Sequence, residues 1–287
     1  MMFISKPRIL LVLLSLSVLT TSTVCLSEDD KPSQTQAGQE SASSTEELAK
    51  KTQNPVADLI SVPFQNNFNF NAGPYNQTQT VINIQPVIPI HLNEDFNLIT
   101  RTILPVVNQP DPVSNTSQFG LGNLNMSLFL SPAKTKGFTW GVSPIFGFPT
   151  KTNDLLGSNT FSVRPTAVVV AMPKHWVIGA LANQQWSIGN GAPNQRVNAM
   201  LIEPFINYNL PKGWYLTSAP IITANWEAFG SQSNNRWVIP IGGGFGKIVK
   251  TGGPPLNINL AGYYNVINPE QGSDWQLRFQ VALLFPK

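Results

Sequence analysis

Charge is scarce in this chain: Asp, Glu, Lys and Arg make up 11% of the residues against 42% hydrophobic ones. Yet beyond the N-terminus no apolar run approaches the roughly 18 residues that a membrane-crossing helix needs, so a helical membrane protein is excluded. There is one cysteine, Cys25, so no internal disulfide forms and packing and hydrogen bonds must hold the fold. Only two histidines are present, His91 and His175. No Cys/His spacing suits a metal, and no Ser-His pair with an orienting third group is legible, so an enzyme is not expected. No cofactor is implied either. The glycine run Gly242 to Gly246 lies inside a strand-like segment and lacks the strand-turn-helix setting of a phosphate loop; close backbone approach or bending explains it better. The net charge of +3 is scattered without a basic patch, which speaks against nucleic acid as a partner.

What is present begins with an address. Lys6 and Arg8 precede the apolar run Ile9 to Leu19, and Thr20 to Thr23 follow it, the layout of a secretory signal too short to span a bilayer. Residues 1–27 are therefore assigned to a signal peptide. Cys25 leaves with it or sits just beyond it, with Ser22 and Val24 poorly suited to a lipidation signal. Residues 28–60 read as a flexible periplasmic tether, poor in anything to bury. Inside it a short helix is expected: Ser44 and Glu47 have capping-box spacing ahead of Leu48. Asn54-Pro55 reads as an N-cap with proline at the first helical position, opening a turn through Leu59 and Ile60. Such a segment either links or plugs a barrel mouth, and the plain linker is the favoured of the two.

From residue 61 to 287 the chain is a series of about twelve segments that alternate in polarity with a period of two, separated by Gly, Pro, Asn and Asp clusters. The last one sets Trp275, Leu277, Phe279, Val281, Leu283 and Phe285 on one face against Gln276, Arg278 and Gln280 on the other. The greasy parity faces lipid and the polar parity the lumen in a membrane barrel. This terminal strand resembles the signal that outer-membrane proteins present to their assembly machinery. Connections alternate too: long and polar after odd strands, as at Gln109–Phe119 and Pro149–Asn159, and tight after even ones, as at Leu92–Asp95 and Pro211–Gly213. The fold class expected is all-β, an antiparallel up-and-down transmembrane barrel of about 12 strands. Trp176 and Trp214, each beside a lysine, mark a membrane interface, with Phe138, Trp140, Tyr215 and Trp237 as further girdle candidates.

A charge facing lipid near the midplane costs roughly 2 to 4 kcal/mol. Arg101, Arg164, Glu203, Glu227 and Arg278, together with Gln85, are therefore the candidate lumen-lining residues. They either line a pore or fill a narrow lumen as a structural network. Seven prolines fall in mid-strand, Pro86, Pro105, Pro144, Pro165, Pro204, Pro220 and Pro240, and imply a belt of bulges or bends.

The stretch Asn54 to Asn67 (NPVADLISVPFQNN), NIQPVIP from Asn83, NLITRTI from Asn97 and the closing LLFPK resemble the putative MetA-pathway phenol-degradation outer-membrane family, sometimes labelled neuromedin U. The resemblance covers Asn54 to Lys287. It implies a bacterial outer-membrane barrel passing small molecules, hydrophobic or aromatic compounds among them, with lipid, the assembly machinery and a small-molecule solute as partners. A structural or interaction barrel with a closed lumen and a soluble secreted β-sandwich binding protein remain as alternatives.

Overall fold

In a computed structural model of the chain, the described residues are 45–135, 137–188, 197–228 and 236–286. The expected signal peptide with Cys25, residues 28–44 of the expected tether, and Ser44 of the capping box lie outside them. Fifteen strand segments follow one helix, α1, over residues 45–53. They are β1 (Ile60–Ala72), β2 (Gln77–Ile84), β3 (Val87–His91), β4 (Phe96–Pro110), β5 (Ser117–Leu121), β6 (Leu124–Pro132), β7 (Phe138–Phe148) and β8 (Ser162–Ala171). The series continues with β9 (Trp176–Ser187), β10 (Asn198–Asn209), β11 (Trp214–Ser218), β12 (Ile222–Asn225), β13 (Trp237–Val249), β14 (Leu256–Ile267) and β15 (Trp275–Phe285). β2 with β3, β5 with β6, and β11 with β12 each make one interrupted stave. The result is a closed antiparallel barrel of 12 strands, with β1 paired to β15 and β9 to β10. Closure leaves no strand edge exposed.

The period-two pattern becomes the two faces of the wall. On β15, Trp275, Leu277, Phe279 and Phe285 are exposed, whereas Arg278, Ala282 and Leu284 are buried within the barrel. Exposed apolar side chains recur on the outer face of other staves, among them Ile88, Val142, Val169, Ile206, Leu216 and Ile241. Such a continuous apolar exterior is far larger than a water-facing surface carries, and hydrocarbon is the solvent it fits. Near the rim that holds Ile60 and Phe285, Trp176 packs on Tyr208 with centroids 4.6 Å apart, and Lys247 Nζ lies 4.7 Å from the Trp214 ring. Near the opposite rim Tyr264 packs on Trp275, also at 4.6 Å. These are the amphipathic girdles of a bilayer-spanning wall. Among the described residues, no helix is long and apolar enough to cross a membrane.

Prolines account for two of the three interruptions. Pro86 separates β2 from β3 and Pro220 separates β11 from β12, while Pro240 sits at a register shift against β14. Pro204, by contrast, lies in an unbroken pairing with β9, opposite Ala180. Its other side faces the β11/β12 gap, where the register running from Ile202↔Ile222 to Ile206↔Ser218 sets Pro220 opposite it. Pro144 likewise faces Pro165 across β7 and β8. Setting two residues without an N–H against each other confines the lost ladder bonds to one seam. Over the Pro144/Pro165 seam the outer wall carries an apolar groove of about 850 Å³, bordered by Leu130, Val142, Ala182 and Ile202.

Candidate functional site

Residues 45–59 lie inside the barrel at the rim of Ile60 and Phe285. The helix falls where the Leu48 region predicts it. Instead of linking freely, it turns Leu48 and the fully buried Ala49 against Ile248, Ala282 and Leu284 of the inner wall. Asn54 does not open a second helix. It ends the first one, its side chain accepting from the Val56 N–H at 3.1 Å in an Asx-type turn, because the chain must reverse direction before β1 begins at Ile60. That turn drives Val56 into a cluster with Ile99, Phe129, Val168, Val170, Leu181 and Phe205. The residues 45–60 portion of the expected tether is thus a plug. An alanine-sized residue at the buried face of the helix and a β-branched one at the turn fit the narrow space; a solvated linker has no need of either.

Both histidines of the chain hold this plug to the rim. His91 Nε2 lies 2.9 Å from Asp58 Oδ2, and His175 Nδ1 lies 2.9 Å from Glu46 Oε1, which also meets Lys50 Nζ at 3.2 Å. Partial burial pushes the Glu46 carboxyl upward, but the hydrogen bonds and charges of Lys50 and His175 outweigh it and hold the group below the usual carboxylate range. Gln53 and Asn209 exchange amide hydrogen bonds at 2.9 and 3.1 Å, and Thr52 accepts from Asn257 at 3.3 Å.

Above the plug is a cavity of about 210 Å³. Of the residues singled out from the sequence, Gln85, Arg101, Glu203 and Arg278 line it together. Gln85 accepts a hydrogen bond from Arg101 Nη2. Arg278, only 6% exposed, donates to Ala219 O at 3.0 Å, Gln276 Oε1 at 3.2 Å and Asn67 Oδ1 at 3.3 Å, and stacks 5.0 Å over the Tyr263 ring. Arg164 also points inward, beyond the cavity, and donates to Asn125 Oδ1. Glu227 does not join them: it follows β12 in the turn at the opposite rim, where its N–H bonds the Asn225 side chain at 3.0 Å.

Three features of the site escape a polarity count. Tyr215 is not a girdle residue: it is 3% exposed and its hydroxyl donates to Asn257 Oδ1 at 2.7 Å inside the lumen. Parity carried the signal, since its neighbours Trp214 and Leu216 are exposed on the outside and adjacent strand residues point oppositely. Tyr263, whose hydroxyl accepts from the Ala219 N–H at 3.2 Å, lies near the glycines of β13. A Cβ on Gly246 would strike the Tyr215 ring, and one on Gly244 would strike the Leu260 carbonyl, so the glycine run provides close approach. Finally, the inner face is not uniformly polar: Ile99, Phe129, Val168 and Val170 are buried in it. Among the described residues, no group of three or more His, Cys, Asp or Glu side chains is placed to hold a metal ion.

No protein-family model matches the chain, and no curated protein sequence matches it. Its fold is similar to that of the COG4313 outer membrane channel from Pseudomonas putida F1, with a TM-score of 0.60 at 16% identity over 79% of this chain and 94% of that one. It is also similar to the NanC porin, with a TM-score of 0.51 at 8% identity over 79% of this chain and 100% of that one. The likeness is one of fold: the outer-membrane β-barrel.

Proposed function

We propose that this barrel is a bacterial outer-membrane channel, a passive transporter for small molecules that include hydrophobic or aromatic compounds. The observation that carries this reading is a charged cavity inside a membrane-facing wall, closed at one mouth by the inserted segment 45–59 and not by the wall itself. The plug, held to the periplasmic rim by two exposed histidine–carboxylate contacts, takes no part in the strand pairing by which the staves close on one another. The resemblance of the sequence to the MetA-pathway family fits this reading, as do the channel and porin likenesses. The competing reading, a structural barrel with a permanently filled lumen, draws on Val56, whose burial ties the plug into the wall's own packing.

Conductance of the refolded protein in planar bilayers tests the choice. A channel gives discrete openings, and deleting residues 45–53 converts them to a steady and larger current. If the deleted protein also passes no current, the filled-lumen reading replaces the channel. Swelling of liposomes in solutions of an aromatic alcohol and of a sugar of similar mass then ranks the solutes, with faster entry of the aromatic one expected.

A further inference from the structure

The cavity holds more positive charge than the protein neutralises. Lys51, Arg101 and Arg278 line it, and Glu203 is the acid among its described lining residues. The ion pairs among the described residues join Lys50 to Glu46, His91 to Asp58, Lys151 to Asp154 and His175 to Glu46, so none involves these three bases. The hydrogen bonds of the two guanidinium groups go to neutral oxygens instead, Gln85 for Arg101 and Ala219, Gln276 and Asn67 for Arg278, while the Glu203 carboxylate acts on Arg101 through space. Arg164 lies one inward step farther from the plug, since its acceptor Asn125 pairs with Ile103 while Ser127 pairs with Arg101. Its Nε is buried without a hydrogen-bond partner. A guanidinium has five donors in a planar fork matched to a carboxylate, and a buried donor left unmade is costly. Two arginines and a lysine on the cavity against the single carboxylate of Glu203, with Arg164 beyond them, leave an excess of positive charge that is an unfilled anion site, the arrangement that anion pores use.

The remaining lining sets the rest of the ligand. Leu181 and Phe205 from β9 and β10, Val87 from β3 and the Tyr263 ring border the same cavity. Its volume of about 210 Å³ is below the roughly 300 to 1,000 Å³ of drug-sized sites. We infer that the cavity is a binding site for a small organic anion, a carboxylate on an apolar or aromatic body, its charge held between Arg101 and Arg278 and drawn inward past Arg164. This deepens the channel reading and rests on it for the route, but not for the binding.

The test uses the full-length protein with benzoate, benzyl alcohol and benzylamine as probes of equal size and different charge. In bilayers under a potassium chloride gradient, the reversal potential is expected to show preference for chloride. Benzoate is expected to block this current at a concentration about tenfold lower than benzyl alcohol, the ratio of a single charge-assisted hydrogen bond, while benzylamine has no effect. Arg101→Gln and Arg278→Gln each remove the benzoate preference, Arg→Lys at either position restores part of it, and Glu203→Gln strengthens it. Benzoate binding in detergent, followed by tryptophan fluorescence, supplies a readout independent of flow. Current with cation preference, or equal block by benzoate and benzyl alcohol, overturns the anion site and leaves the channel. Binding of benzoate without any current defeats the channel and keeps the site. Because the three probes are compared on the unaltered protein, the outcome stands even where a variant fails to fold.

Discussion

On the β15–β1–β2 side of the lumen and the adjoining end of β4, side chains hold one another through amides: Gln109 to Gln79 at 2.5 Å, Gln79 to Asn69 at 2.7 Å, Asn69 to Gln276 at 2.9 Å, then Gln276 to Arg278 at 3.2 Å. Across the lumen, from β4 through β10, the inner face around Phe129, Val168, Val170 and Leu181 holds by apolar packing on Val56 of the plug. Beyond the rim residues Ala282 and Leu284, which the helix covers, the amide side needs no inserted element, because each group is satisfied by its neighbour on the adjacent stave. The apolar side does need one, since without Val56 and its neighbours the cluster would face an aqueous lumen. The contrast teaches where the turn of the plug is anchored: Val56 is seated against the oily wall, while the helix rests nearer the rim on Ile248, Ala282 and Leu284, and the open volume is left where charged and amide groups can stay wet.

The strongest way to break that contrast is to hollow the apolar side. Phe129→Ala removes a side chain that is 1% exposed, and a buried Phe→Ala change costs about 3 to 5 kcal/mol. The loss should appear as a lower urea midpoint of the folded barrel, with folding followed by the heat-modifiable shift of its electrophoretic mobility. Asn67→Ala on the amide side removes an acceptor shared by Gln65 and Arg278. It should cost only about 1 to 3 kcal/mol, mostly from the guanidinium bond left unmade. Equal losses at the two positions would show that the plug does not lean on one wall.

Much of this architecture was readable from parity. The outward sets on β1, β2, β3, β14 and β15, the stave number and the alternation of loop lengths follow from period-two polarity and turn chemistry, which the bilayer enforces on every stave. The apolar lumen side was not readable that way. β8 carries Val168, Val169 and Val170 in succession, apolar on both parities, and a pattern without alternation cannot say that two of the three are covered by a segment far away in the chain. The same blind spot hid the plug: Ala49 and Val56 are small apolar residues in polar surroundings, and only the three-dimensional neighbours Ile248, Leu284 and Phe129 give them a reason. Arg101, Glu203 and Arg278 were legible as inward charges because lipid forbids the other face. Their meeting in one cavity depended on register, which single-strand parity leaves open.

Tyr215 offers an intermediate probe of the amide side. Its ring fills the space left by Gly246, and its hydroxyl bonds Asn257, which in turn reaches Thr52 of the plug. Tyr215→Phe keeps the ring and leaves Asn257 Oδ1 without its donor, at a cost of about 1 kcal/mol. The expected result is a modest fall in urea midpoint with a rise in opening frequency in bilayers, because the lost bond, between two wall strands, is the one that holds Asn257 in place for its contact with Thr52 of the plug. An unchanged opening frequency would assign the hydroxyl to wall stability alone.

The smallest effect is expected at the rim, where the plug is held from water-exposed positions. Pairing with Lys50 and His175 lowers the Glu46 carboxyl below its ordinary value of 4.5, so the charged form is the one that the folded plug favours. A depressed carboxyl contributes its full stabilisation above that ordinary value and loses it as pH falls through the lowered one. Acidification from pH 5 toward about 3 should therefore speed hydrogen exchange at the Ala49 amide while the wall amides of β14 and β15 keep their protection. Glu46→Gln should flatten this response and give plug exchange that is independent of pH in that interval once the intrinsic rate is divided out. His175→Gln should leave a weaker response carried by Lys50. If wall and plug instead loosened together on acidification, the latch would be part of a single cooperative unit with the barrel, and the distinction between a fixed wall and a separable plug would fail at its most accessible point.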